Sequence, residues 1–105
     1  MVSFSGEIRL INNNSATPGN NWIELQVWDN GQPMQPQDAS SPLAFAAGNV
    51  YESHAATFCR NVTNTTASAV THTITVQWKV TNNDALSDLT AWLDDWTLRL
   101  DVYNK

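Results

Sequence analysis

The chain has 105 residues, of which 42% are hydrophobic and only 14% are charged. That length suffices for one domain, residues 1–105, whose core needs neither disulfides nor metals. The formal net charge of −5 repels phosphate backbones and anionic lipids, and no apolar run reaches the length of a transmembrane helix. We therefore expect no nucleic-acid partner, no membrane insertion and no cofactor.

Two strands are predicted in the first third of the chain. Side chains of residues 2–11 alternate between apolar and polar, with Gly6 as a candidate bulge or bend. Residues 12–21 form a turn-rich cluster, and residues 22–28 alternate again. The second strand has an apolar face of Ile23, Leu25 and Val27 and a more polar face of Trp22, Glu24, Gln26 and Trp28.

The middle of the chain is predicted to hold shorter strands between loops. Residues 29–31 read Asp-Asn-Gly, a strong turn signal, and the proline-containing segment 32–42 is expected to lack regular structure. Residues 43–47 indicate a brief strand and residues 50–62 a longer one. The small polar residues of segment 61–68 predict a loop.

Residues 70–81 show the clearest alternation in the chain, and we expect them to form a half-buried strand. Such a long strand with a single charge and no proline would invite aggregation at a sheet edge. It is therefore predicted inside a sheet, with a neighbour on each side. Its inward face is expected to consist of Val70, His72, Ile74, Val76, Trp78 and Val80.

The C-terminal part begins with an ambiguous stretch, residues 84–93. Its leucines have helical spacing and Asp84 is a candidate helix cap, but a single helical turn or an irregular loop is the prediction. Residues 96–103 predict a last strand. Its inward residues are Trp96, Leu98, Leu100 and Val102. Five to seven strands with turn signals between them favour an all-β antiparallel sandwich or jelly roll.

The segment THTITVQWKV, followed by AWLDDWTLRLDVYN, resembles the C-terminal hairpin of bacterial and phage-encoded C1q/TNF-like jelly-roll domains. The matching residues are Thr71, His72, Thr73, Val76, Gln77, Trp78, Asp95, Leu98 and Val102. The resemblance implies a compact homotrimer, with one sheet of each protomer packed around the threefold axis. It also implies recognition and attachment rather than catalysis.

The candidate ligand-binding residues are Trp22, Trp28, Trp92, Asp94 and Asp95. Indole rings stack on sugar rings, and adjacent polar side chains suit a carbohydrate. Core or interface packing is the alternative for each of these tryptophans, and Trp78 and Trp96 are expected in the core. The carboxylates are expected to form a solvated acidic rim, because their spacing matches no calcium-binding loop.

Catalysis has few candidates in this chain, namely Cys59, His54 and His72. A nucleophile and its base need hydrogen-bond reach and an orienting third group, and no local signature indicates one. Cys59 is expected as a small buried strand residue, with an intermolecular disulfide or a reactive thiol as the alternative. His72 is expected as a hydrogen-bonded histidine of the core or of an interface. We predict no catalytic residues.

The sequence thus predicts a non-enzymatic, trimeric recognition or attachment module on a cell or virion surface. Its partners would be copies of itself, a cell-surface glycan or another virion protein. The alternative is a purely structural virion protein, such as a phage fibre or capsid decoration domain.

Overall fold

The computed structural model describes residues 1–12, 20–37, 43–84 and 89–103. The parts of the sequence predictions that concern residues 13–19, 38–42, 85–88 and 104–105 lie outside the described residues. Within the described residues the chain forms seven strands and no helix. They are β1 Val2–Asn12, β2 Asn21–Asp29, β3 Gln32–Pro33, β4 Leu43–Ala46, β5 Glu52–Phe58, β6 Ile74–Asn82 and β7 Leu89–Leu100. No helix of this part is long and apolar enough to cross a membrane.

The strands form two antiparallel sheets that pack together. The first sheet has the order β5-β1-β7. In the second, β6 pairs with the whole length of β2, and β3 and β4 pair with opposite ends of β2 along its other edge. The prediction of an all-β antiparallel fold is confirmed.

The two central strands supply most of the core. The alternate side chains of β1 and β2 that point between the sheets are almost inaccessible to solvent, because each strand has neighbours on both sides and a sheet above it. These residues are Val2, Phe4, Ile8 and Leu10 of β1 and Ile23, Leu25 and Val27 of β2. The rings of Phe4 and Phe45, 5.9 Å apart, join the first sheet to β4. The core therefore lies between the first two long strands.

The expectation that residues 70–81 form an interior strand is wrong. Regular pairing begins only at Ile74, and within the described residues β6 has β2 as its single neighbour. Its inward residues are only partly buried, and Trp78, expected in the core, is 44% exposed. Alternation identifies the two faces of a strand, but it does not show how many strands lie beside it.

The last strand differs from its prediction in the same way. β7 already begins at Leu89, so residues 89–93 are extended rather than a helical turn or a loop. Trp96, expected in the core, stacks on Phe4 with a centroid distance of 6.4 Å but remains 61% exposed. The carboxylate of Asp84 accepts the backbone N–H of Asn20 at 2.7 Å. Residues 85–88, which would begin the helix that Asp84 was expected to cap, lie outside the described residues.

A bulge interrupts the pairing of β1 with β7. The register shifts by one residue between Ser5 and Glu7, so β7 has an extra residue opposite Gly6. Asp95 takes up the extra length in a left-handed conformation with φ of 45°. A β-carbon at Gly6 would lie 2.8 Å from Cδ1 of Leu93. The predicted irregularity at Gly6 is thus present, with the additional residue on the partner strand.

Segment 32–37 is more ordered than predicted. Gln32 and Pro33 pair with β2, and the side chain of Gln37, which is buried, takes the place of a strand beside Val27. Its amide oxygen accepts the N–H of Val27 at 2.9 Å, and its amide nitrogen donates to the carbonyl of Val27 at 2.8 Å. This side chain satisfies backbone groups of β2 between the short strands β3 and β4.

Replacement of Gln37 by leucine keeps the side-chain size but removes both hydrogen bonds. The N–H of Val27 then loses its partner in a buried position, so we expect the free energy of unfolding to fall by about 2–3 kcal/mol. Urea unfolding followed by circular dichroism measures this change. The matched control is Gln77→Leu, on an exposed position of β6. Equal stability of the two variants would contradict the role assigned to Gln37.

Candidate functional site

The structure divides the predicted site residues between the two sheets. Trp22 and Trp28 lie on the outer face of the second sheet, on the side of β2 that points away from the core. Trp92 lies on the outer face of the first sheet, opposite Arg9 of β1. Asp94 and Asp95 lie at the bulge of β7. These five residues therefore do not form one cluster.

The outer face of the second sheet has a tryptophan near each end and polar rows between them. In the pairing of β2 with β6, Glu24 lies opposite Lys79 and Gln26 opposite Gln77. These four residues, with Trp78, line a shallow depression of about 410 Å³. The carboxylate of Glu24 already has two partners. It accepts a hydrogen bond from the hydroxyl of Thr81 and lies 3.5 Å from the ammonium group of Lys79. Trp22 and Trp28 are half-buried.

The two adjacent carboxylates of β7 have a local structural role. The side chain of Asp94 accepts the backbone N–H of Asp95 at 2.9 Å, next to the left-handed residue of the bulge. Both residues are exposed. In the described parts of the chain, no group of three or more His, Cys, Asp or Glu side chains could hold a metal ion.

The outer face of the first sheet carries a cation between two aromatic rings. The guanidinium carbon of Arg9 lies 4.6 Å from the ring centre of Tyr51 and 5.9 Å from that of Trp92. Both aromatic residues are about half exposed. Each cation–π contact at such an exposed site is worth about 0.5–1 kcal/mol. We name these three residues, Tyr51, Arg9 and Trp92, the aromatic–arginine row.

Arg9 differs from the other basic side chains that the structure describes. Arg60 pairs with Asp29, Lys79 with Glu24 and Arg99 with Asp101. Arg9 has no such carboxylate partner among the described residues, and its Nε is buried without a hydrogen-bond acceptor. An unpaired buried donor costs about 1–3 kcal/mol. Neither Arg9 nor Tyr51 is among the site residues predicted from the sequence. The outward placement of a rare arginine on β1 was the available signal, but the sequence does not show which residues lie beside it across the sheet.

A buried carboxylate fixes the long loop before β6. Asp29 lies at the end of β2. Its carboxylate accepts a hydrogen bond from Nη1 of Arg60 at 2.9 Å and lies 2.7 Å from Nδ1 of His72. The side chain of Asn30 binds the same loop, accepting the N–H of Thr73 and donating to the carbonyl of Thr71. His72 is thus a hydrogen-bonded histidine as expected, but it is exposed at the loop and does not lie in the core.

The loop held by Asp29 encloses a second depression of about 330 Å³. Its lining combines Asn, Gln and Thr side chains with Arg60, His72 and two valines, Val62 and Val70. Cys59, at the start of this segment, is exposed rather than a buried strand residue, because β5 ends at Phe58. Its backbone pairs with that of Gln35. His54 lies next to Glu52, with their side chains 3.5 Å apart.

An apolar surface remains on β7 and beyond its end. Trp96, Leu98 and Leu100 point toward the second sheet, as do Phe4 and Val2 beside them on β1. The two residues of β1 are buried, whereas the three of β7 are 41–61% exposed, and Val102 beyond them is 82% exposed. We name Trp96, Leu98, Leu100 and Val102 the β7 stripe. The second sheet does not cover it.

Comparisons of the chain with known proteins give no match, whether to a family model, to a curated protein or to a solved structure.

Replacement of Asp29 by alanine removes the shared partner of Arg60 and His72. This change removes two charge-assisted hydrogen bonds. Because Arg60 and His72 are partly exposed, they can form hydrogen bonds to water instead. We therefore expect the free energy of unfolding to fall by about 2–4 kcal/mol. Chemical unfolding measures the loss. Asp101→Ala, which breaks the exposed pair with Arg99, is the control and is expected to cost under about 1 kcal/mol. A neutral effect of Asp29→Ala would show that the loop does not depend on this carboxylate.

Proposed function

We propose that this chain is a non-enzymatic recognition or attachment module that works as a homotrimer on a cell or virion surface. Its sheets would belong to a C1q/TNF-like jelly roll, and glycans are the proposed ligand class. The observation that carries the proposal is the β7 stripe, a row of large apolar side chains left uncovered on an inward-facing strand surface.

The stripe is about as large as the largest apolar patch of a typical monomer, and such a patch is often a functional surface. An aromatic side chain presents roughly 150–250 Å², so Trp96, which is 61% exposed, contributes about 90–150 Å². The exposed fractions of the smaller Leu98, Leu100 and Val102 bring the stripe to on the order of 500 Å². The largest apolar patch of a typical monomer is about 300–600 Å², and each partner in a standard interface contributes about 800 Å². The exposed Trp78, on the edge strand of the other sheet, adds to the apolar area of this molecule.

The energy of burial is large enough to favour association. Complete burial of the stripes of two copies sets an upper bound of about 25 kcal/mol on the gross gain, of which only the surplus over the costs of association contributes to affinity. The loss of translational and rotational freedom costs about 4–15 kcal/mol, and ordering of side chains adds to that cost. A second copy of this chain is a fitting occupant because an isologous or cyclic contact covers the stripe of every protomer.

The path of the chain supports the jelly-roll assignment. The chain passes from one sheet to the other after β1, after β4, after β5 and after β6. Such repeated crossing is typical of sandwiches with Greek-key connections, including jelly rolls. The trimer itself comes from the resemblance of the C-terminal segment to C1q/TNF-like domains, and the β7 stripe is the surface that we assign to its contacts.

A purely structural role on a virion is the second candidate. The half-buried state of Trp22 and Trp28 favours it, because rings packed against their own sheet offer less surface for a sugar. A trimer that binds no glycan would agree with this alternative. A trimer whose tryptophan signals respond to a glycan would favour recognition.

The assembly is tested by light scattering on a size-exclusion column. We expect a concentration-independent mass of three times 11.6 kDa for the unchanged chain. Leu100→Glu and Val102→Glu place charges in the stripe, so we expect each to shift the mass toward that of the monomer while far-ultraviolet circular dichroism stays unchanged.

The matched control for this test is Val62→Glu, which adds the same charge on the loop before β6, at a residue that is also about half exposed. It is expected to remain a trimer. A monomeric unchanged chain would contradict the proposal, and so would dissociation of the control variant to the same extent as the stripe variants.

A further inference from the structure

We propose that the aromatic–arginine row is a binding site for the carboxylate of an acidic sugar, such as a uronic acid. The inference rests on the proposed recognition function and names the ligand class and the place of binding. It locates the site on the outer face of the first sheet, away from the β7 stripe, which points toward the second sheet.

The row is built by two paired strand residues and by the residue before a third strand. Arg9 is in the central strand β1 and pairs with Trp92 of β7, while Tyr51 immediately precedes β5 on the other side. The ring centres lie 4.6 and 5.9 Å from the guanidinium carbon. A central strand with pairing on both sides is the most rigid support in the sheet, so the guanidinium is held in place before any ligand arrives.

The charge of Arg9 is available for a ligand. Among the described basic side chains it is the one without a carboxylate partner, in a chain whose net charge is −5. Its Nε is buried and has no acceptor, so the guanidinium is held by ring contacts rather than by hydrogen bonds. The planar fork of an arginine matches the two oxygens of a carboxylate.

The surroundings favour a sugar over a simple anion. Tyr51 and Trp92 are both about half exposed and leave ring surface on which the apolar face of a pyranose can stack. The next row of the same face consists of Ser53, Glu7 and Asp94, as the pairing of β1 with its neighbours requires. The two carboxylates accept hydrogen bonds from sugar hydroxyls, and they repel a doubly charged phosphate more strongly than a singly charged carboxylate.

The outer face of the second sheet does not offer the same chemistry. Its cation, Lys79, is paired with Glu24, so that face has no free charge to select an acidic ligand. The Asp29 network is occupied in the same way, because Arg60 is bound to the buried carboxylate. The aromatic–arginine row is thus the place among the described residues where an unpaired cation and exposed aromatic rings coincide.

The test is a titration of the isotope-labelled full chain, followed by nitrogen–proton correlation spectra. The probes are sodium D-glucuronate, D-glucose and sodium acetate at matched ionic strength. We expect saturable shifts of the Trp92 indole and Arg9 Nε–H signals with glucuronate at millimolar concentrations. Glucose, which lacks the carboxylate, and acetate, which lacks the ring, are each expected to bind at least about tenfold more weakly.

Variants separate a ligand-binding role of Arg9 from a structural one. Arg9→Gln is expected to weaken glucuronate binding at least about tenfold, and Arg9→Lys, which keeps the charge but loses the fork, by an intermediate factor. The control is Arg99→Gln, on the same outer face but paired with Asp101, and its affinity is expected to stay within about twofold of the unchanged chain.

Four results would overturn the site: no saturable shift up to about 50 mM glucuronate, equal binding of glucose, equal binding of acetate, or equal losses in Arg9→Gln and Arg99→Gln. The mass measurement is independent of these titrations. A trimer that does not bind glucuronate would contradict this site and support the proposed assembly. A monomer that binds glucuronate through Arg9 would contradict the trimer and support the site.

Discussion

The fold depends on the burial of alternate side chains of β1 and β2 between two sheets. Each of these strands is the centre of its own sheet, and the side chains that point between the sheets are almost inaccessible to solvent. At about 1.5–3 kcal/mol for each large apolar side chain, their seven residues outweigh any single polar contact in the molecule. The polar contacts instead complete the strand ends, as Gln37 does beside Val27 and Asp29 does at the loop before β6.

The partial exposure of the outer strands follows from this arrangement. β6 and β7 each have a central strand on one side, and the inward face of neither is fully covered. Apolar side chains that would be core residues in a central strand therefore become surface residues at the edge. The same alternation places Arg9 on the outer face of β1, where the flanking elements supply an aromatic ring on each side. One geometric rule thus generates both the proposed assembly surface and the proposed ligand site.

The sequence predicted strand faces well and strand positions poorly. Alternation identified β1, β2 and the inward residues Ile74, Val76 and Val80, because side-chain direction is a local property of extended backbone. It misplaced Trp78 and Trp96, because burial depends on which strand lies beside or above them. The sequence groups the five predicted site residues by their chemistry, but the structure places them on different sheets. Tyr51 and Arg9 lie close together because segments that are distant in the sequence pair with each other. The turn at residues 29–31 was visible locally, whereas the role of Asp29 in binding Arg60 and His72 was not.

The proposed assembly covers the inward face of β7 with other copies of this chain. Hydrogen exchange followed by mass spectrometry tests it most directly, by comparison of the unchanged chain with Leu100→Glu. We expect slow exchange of the amides of β7 in the unchanged chain and much faster exchange in the variant, with the amides of β1 equally protected in both. Fast exchange of β7 in the unchanged chain, equal to that in the variant, would contradict this assembly, because it would show that nothing covers the stripe in solution.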